Sequence, residues 1–194
     1  MPSLTHLANP TRFLAFSARA LPWVTAAAVS LFALGLYLAL FVAPADYQQG
    51  DSVRIMYVHV PAAVMAMACY SLMAVAALGT LVWRHPLADV AARAAAPLGA
   101  AFTFLGLVTG SIWGRPMWGA WWVWDARLTS ELILLFLYLG FLALHAAIDD
   151  TRRADRASAL LALVGVVNIP IIYFSVKWWN TLHQGASVSM TAAP

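Results

Sequence analysis

The chain has 194 residues, of which 63% are hydrophobic and only 10% are charged, and its formal net charge is +3. A soluble domain carries about a quarter charged residues, so this composition excludes a water-soluble globule and indicates an integral membrane protein. The length fits a single domain, residues 1–194, and the modest charge gives no reason to expect nucleic acid as a partner.

Five segments are apolar over a length that can cross a bilayer, for which a helix needs about 20 residues. They are residues 23–42, 56–83, 94–112, 128–148 and 158–176. Strands that alternate polar and apolar residues, as a barrel requires, are missing from the sequence. We therefore predict an all-α, polytopic helical bundle with five transmembrane helices, the first a retained helix because it is too long for a typical signal sequence.

The positive charges orient this bundle, because Lys and Arg are enriched on cytoplasmic loops. Seven arginines lie on the loops of one side and four cations on the other. The first group is Arg12, Arg19, Arg84, Arg93, Arg152, Arg153 and Arg156; the second is Arg54, Arg115, Arg127 and Lys177. The amino terminus is therefore predicted to be cytoplasmic, and the loop over residues 113–127 faces outward.

That outer loop contains five tryptophans in a short stretch: Trp113, Trp118, Trp121, Trp122 and Trp124. Trp118, Trp121, Trp122 and Asp125 have the i, i+3, i+4, i+7 spacing that would place them on one face if the segment were helical. Such a surface suits a flat, apolar ligand. The alternative is an interfacial belt, since tryptophan prefers the headgroup level of a membrane, although a belt rarely needs so many in one loop.

Two histidines belong to the same outer side. His59 lies near the start of the second span, and His183 follows the fifth. Two imidazoles from separate loops could be axial ligands of a metal such as haem iron; the alternative is two ordinary interfacial polar groups. The remaining histidines, His6, His85 and His145, lie on the inner side and receive no role.

The outer cations Arg54, Arg115, Arg127 and Lys177 could pair with carboxylates of a ligand, or could snorkel at helix ends. Glu131 is the one acidic residue within a predicted span. We place it in the first turn of the fourth helix, where the helix dipole favours a negative charge. Asp125 is either the cap of that helix or a residue that orients a neighbouring group.

Several sequence patterns of enzymes are missing. The chain has no phosphate-binding loop of the P-loop type, no Cys-x-x-Cys-His motif for covalent haem, and no metalloprotease or triad pattern. We therefore expect a binding and transfer protein rather than an enzyme.

Three stretches carry a family resemblance. They are WGRPMWGAWWVWDARLT at residues 113–129, RIMYVHVP at 54–61 and KWWNTLHQ at 177–184. The first is similar to the tryptophan-rich WWD signature of membrane haem-handling proteins, and the other two resemble the cytochrome c maturation family CcmC. The similarity extends from the first span to His183.

The resemblance implies a protein of the bacterial inner membrane that holds non-covalent haem b on the periplasmic side and passes it to the haem chaperone CcmE. It implies partners in CcmA (the ATPase), CcmB and CcmD. His59 and His183 would then be the axial ligands. The tryptophans of the loop and Asp125 would form the haem and CcmE platform, to which we add Trp178 and Trp179 because they lie close to His183 in sequence.

The resemblance also implies a sixth span, whereas this sequence contains five up to Pro194. Two other functions stay open. A permease subunit of an ABC transporter would use the tryptophans only as membrane anchors and would need polar residues along a central path. A membrane cytochrome with permanent haem would place its ligands deep on facing helices.

Overall fold

The computed structural model describes residues 7–179 and 181–183. These residues form five helical stretches that are long and apolar enough to cross a membrane. The predicted fold class, an all-α polytopic membrane protein with five spans, is thereby confirmed. The chain divides into two compact units, Met1–Tyr57 and Val58–Pro194.

Several of the α-helices extend beyond the apolar segments of the sequence. They are α1 Pro10–Tyr37, α2 Met56–Leu78, α3 Pro86–Trp118, α4 Ala126–Ala147, α5 Thr151–Gly165 and α6 Asn168–Trp178. Two of them, α1 and α2, continue as π-helical turns over Leu38–Val42 and Gly79–Trp83. The largest extensions are at the starts of α1, α3 and α5.

The first unit is built around α1. Asn9 caps this helix, its Oδ1 accepting hydrogen bonds from the backbone N–H groups of Thr11 and Arg12 at 3.0 and 3.3 Å, and Pro10 occupies the first helical position. Within the described residues α1 buries no side chain. In the same unit, Arg54 donates hydrogen bonds to Asp51 at 3.0 Å and to the carbonyl of Leu40 at 2.5 Å.

The second unit is packed from small residues around a few large side chains. Alanines of α2 and α3 allow close helix approach, and the fully buried side chains include Tyr70, Met73, Leu134, Tyr138 and Ile172. Tyr138 donates its hydroxyl hydrogen bond to the carbonyl of Ala66 at 2.7 Å and meets the ring of Tyr70 edge-on at 5.2 Å. These contacts join α4 to α2.

The fifth span is interrupted between α5 and α6. Pro170 has no N–H to offer the carbonyl of Val166, and the N–H of Ile169 bonds that carbonyl instead at 3.0 Å. Asn168 at the break donates from its side-chain amide to the carbonyl of Ser130 at 2.8 Å. This hydrogen bond connects the break to α4. Helix α6 follows the break and ends at Trp178.

Candidate functional site

His59 lies in the first turn of α2 and is held against α3. Its Nδ1 lies 3.0 Å from the carbonyl oxygen of Gly106 and 3.2 Å from the hydroxyl oxygen of Thr109. A carbonyl oxygen can only accept, so Nδ1 carries the proton and the lone pair of the neutral ring is on Nε2. The ring of Trp113 meets the imidazole edge-on at 5.8 Å.

His183 is held in the same way by a carboxylate. Its Nδ1 lies 3.3 Å from Oδ2 of Asp125, which can only accept, so here too Nε2 has the free lone pair. The other carboxylate oxygen of Asp125 accepts from the backbone N–H of Leu128 at 2.8 Å and caps α4. Asp125 thus both caps the helix and orients a histidine, and the two alternatives raised by the sequence are both realised.

The helical condition for one shared face is not met, because only the first of the four residues Trp118, Trp121, Trp122 and Asp125 lies in a continuous helix. Helix α3 carries Trp113 and extends through Trp118, and it ends at Gly119, whose φ of 74° is the left-handed conformation of a helix C-cap. Residues 120–125 contain no helix. Trp118 packs edge-on against His183 with the ring centroids 4.9 Å apart.

The remaining tryptophans of the loop follow α3. Trp121 and Trp124 expose 58% and 75% of their surface, so they are available to a ligand or a partner. The indole of Trp122 packs edge-on on Trp124 at 5.3 Å, and its buried N–H has no hydrogen-bond partner among the described residues. Ser111 of α3 donates to the carbonyl of Trp121 at 2.7 Å and holds the loop near the helix end.

The predicted cations occupy different places. Arg127 donates to the carbonyl of Ile172 at 3.4 Å, and both Arg127 and His183 are close enough to His59 for their charges to act on its ring. Arg115 donates to the carbonyl of Gly119 and closes the end of α3. Arg54 belongs to the first unit. Of these cations, Arg127 is the one that contacts α6 and whose charge acts on both His59 and His183.

The end of α6 holds the other predicted residues. Lys177 lies over the ring of Phe174 at 6.0 Å, and Trp178 stacks on the same ring at 5.0 Å. Trp179 meets Trp178 edge-on at 5.8 Å. These contacts run along one side of α6.

Glu131 is not in the first turn of α4, so that prediction is wrong. The helix begins at Ala126 because Asp125 caps it, and Glu131 lies one turn deeper, beyond the unpaired N–H groups. Its residue surface is only 6% exposed, and its Oε1 has no hydrogen-bond partner among the described residues. Three residues of α3 lie beside His59 and were not predicted from the sequence: Gly106, Thr109 and Gly110.

Burial lowers the pKa of His183, opposed by Asp125 and reinforced by Arg127. With a folded pKa below the unfolded value of about 6.5, the docked imidazole is neutral and its docking is most stable above that pH. As the pH falls, docking of residues 181–183 should weaken by at most about 1.4 kcal/mol per pH unit. An NMR titration of His183 in the haem-free protein should give a midpoint below about 6.5; a midpoint above it would contradict this prediction.

The sequence of this chain is similar to a known protein family. The family model described as heme exporter protein C matches residues 3–194. The chain belongs to the CcmC family. Heme exporter protein C of Bradyrhizobium diazoefficiens is 66% identical over 186 residues, which cover 96% of this chain and 70% of that protein. The Escherichia coli protein of the same name is 56% identical over 185 residues, covering 95% and 76%.

The chain is also similar to a relative with a mitochondrial name. A mitochondrial protein of Marchantia polymorpha, named as CcmC-like and for cytochrome c biosynthesis, is 52% identical over 159 residues, covering 82% of this chain and 67% of that protein. The predicted membership of the CcmC family is thereby confirmed.

Proposed function

We propose that this CcmC family member binds haem between His59 and His183 and hands it on for cytochrome c biogenesis. One observation carries the proposal. Both imidazoles have Nδ1 bound to an oxygen that can only accept, the carbonyl of Gly106 and the carboxylate of Asp125. Such second-shell acceptors fix the tautomer and orient Nε2 for a metal.

The surroundings fit haem as a cargo. Trp113 and Trp118 each pack on one of the two histidines, so apolar ring surface lies beside both candidate ligands. Arg127, close to both, would pair with a propionate of haem b. Haem would be held without a covalent bond, because the sequence lacks a Cys-x-x-Cys-His motif.

The exposed loop supports a transfer role. Trp121 and Trp124 offer aromatic surface outside the histidine pair, where a chaperone such as CcmE would dock to receive haem. The arginine count supports a periplasmic position for this loop in a bacterial inner membrane. CcmA, CcmB and CcmD are the partners that the family resemblance suggests, with ATP hydrolysis on CcmA.

The permease alternative has less support. A translocation path needs polar groups free to contact a solute, whereas Thr103, Ser130 and Ser175 each donate a hydrogen bond to a carbonyl of their own helix. The hydroxyls of these three residues are therefore bonded within their own helices rather than free to contact a solute.

Replacing the histidines tests the proposal. Protein purified in detergent from haem-sufficient cells should show a low-spin Soret spectrum, and His59→Ala and His183→Ala should each lower haem retention about 10- to 100-fold. His85→Asn is the matched control. His85 caps α3 at Leu87 at 3.3 Å, and Asn is a good cap, so that variant should keep wild-type haem. Colourless wild-type protein with transport activity would refute the proposal.

A further inference from the structure

Three glycines lie on one side of α3 at intervals of four residues: Gly106, Gly110 and Gly114. All three are buried. Glycines at this spacing usually let two helix backbones approach closely. At Gly106 an added Cβ would indeed meet backbone atoms of Ala63, but at ordinary contact distances of 3.8 and 3.9 Å. At the other two glycines the neighbours include an aromatic ring.

Gly110 lies directly under the imidazole of His59. A Cβ at this position would be 2.9 Å from Cε1 and 3.4 Å from Nδ1 of the ring. The same Nδ1 is bonded to the carbonyl of Gly106, one turn earlier on α3. The ring is therefore held between a hydrogen bond and a bare backbone, and a methyl group at Gly110 would push it away from its acceptor.

Gly114 has the same relation to Trp118. A Cβ there would be 3.1 Å from Cε3 and 3.3 Å from Cζ3 of the indole, and 3.1 Å from the carbonyl oxygen of Ala120. Trp118 in turn packs against the ring of His183. Gly114 thus sets how closely Trp118, and with it His183, can approach α3.

We propose that Gly110 and Gly114 are positioning residues that fix the separation of the two imidazoles, one directly and the other through Trp118. The inference rests on the proposed haem function. It goes beyond that function because it makes the glycines of α3 responsible for the distance between the two histidine ligands. Because iron accepts two axial ligands only at bonding distance, a shift of either ring should change the coordination of haem.

A Gly110→Ala variant of the full chain tests the first half. We expect a shift from a low-spin to a high-spin haem spectrum and a loss of haem retention of about 10- to 100-fold, with added imidazole restoring the low-spin spectrum. Gly35→Ala is the matched control, because a Cβ at that helical position has nothing within 4 Å. A folded Gly110→Ala protein with a wild-type spectrum would overturn the assignment.

A double-mutant comparison identifies the route of the effect. Adding Gly110→Ala to His59→Ala should change nothing further, whereas adding it to His183→Ala should remove the remaining haem. Equal losses in both backgrounds would mean a general packing defect and would overturn the positioning role. If His59→Ala alone keeps wild-type haem, the proposed ligand itself is wrong, which separates failure of the function from failure of this inference.

Gly114→Ala keeps the test decisive if Gly110→Ala does not accumulate. Its contacts of 3.1 Å require the neighbours to move by only a few tenths of an ångström, so the protein should fold. We expect Gly114→Ala to give a partly high-spin haem spectrum. In a His183→Ala background, adding Gly114→Ala should cause no further change in the spectrum. A wild-type spectrum in Gly114→Ala would overturn the second half of the proposal.

Discussion

Replacing Asp125 by Asn should weaken haem retention about 10- to 100-fold while leaving α4 capped. Asn is as good a cap as Asp, and its side-chain oxygen would accept from Leu128 as Asp125 does at 2.8 Å. The amide nitrogen would then face Nδ1 of His183, where the carboxylate oxygen now lies at 3.3 Å. Two donors cannot pair, so His183 would change tautomer and lose the lone pair on Nε2.

Asp150→Asn is the matched control for this variant. Asp150 caps α5 in the same manner, accepting from the backbone N–H of Arg153 at 3.1 Å. Haem retention is measured by the Soret absorbance that survives gel filtration, and helix stability by the melting temperature. If the introduced amide flipped, it would instead keep the tautomer and cost about 1 kcal/mol at the cap. Unchanged haem retention together with an unchanged melting temperature would contradict the dual role of Asp125.

The largest effect on folding is expected from Gly99→Ala. An added Cβ would lie 2.1 to 2.3 Å from ring atoms of Tyr138. That ring is fully buried, bonded to Ala66 and packed on Tyr70, so it has no free direction in which to move. Overpacking a core costs about 1–3 kcal/mol and occasionally more, and we expect the upper end or beyond. Membrane accumulation and the melting temperature should fall sharply.

Two further variants make this result specific. Gly106→Ala changes the same helix by the same methyl group, where the nearest atoms are 3.8 Å away, and its melting temperature should stay close to that of the wild type. In a Tyr138→Leu background, Gly99→Ala should cost much less than in the wild type, because the ring that it strikes is gone. Equal costs in both backgrounds would show that the clash with Tyr138 is not the cause.

The fold class was predictable because a continuous apolar segment of about 20 residues indicates a membrane span. The ends of the helices were not, since apolar composition does not change where a helix leaves the hydrocarbon. The spacing of Trp118 and Asp125 would put them on one face only in a continuous helix. Gly119 interrupts that helix, because it is a typical helix-stop residue and takes the left-handed conformation here.

For the site, the sequence could predict which residues share a side of the membrane, but not which of them are in contact. Charge counts predict that His59, His183 and the tryptophans share one side, and Trp118 does pack against the ring of His183. The acceptor of the His59 Nδ1 proton could not be predicted from the sequence. It is a backbone carbonyl, and every residue has one. The glycines at 106, 110 and 114 were the available signal.

The length of the first span sets its position in the bilayer. At 33 residues it measures about 50 Å, and even a tilt of about 40° leaves roughly 38 Å along the bilayer normal against a hydrocarbon thickness of about 30 Å. Part of the helix must therefore lie in the headgroup region. Arg12 and Arg19 fall in its first turns, and the charge-free stretch from Trp23 to Val42 is long enough to fill the hydrocarbon by itself. Helix α1 is therefore longer than the hydrocarbon requires, and the excess at its start carries two arginines that can pair with lipid phosphates.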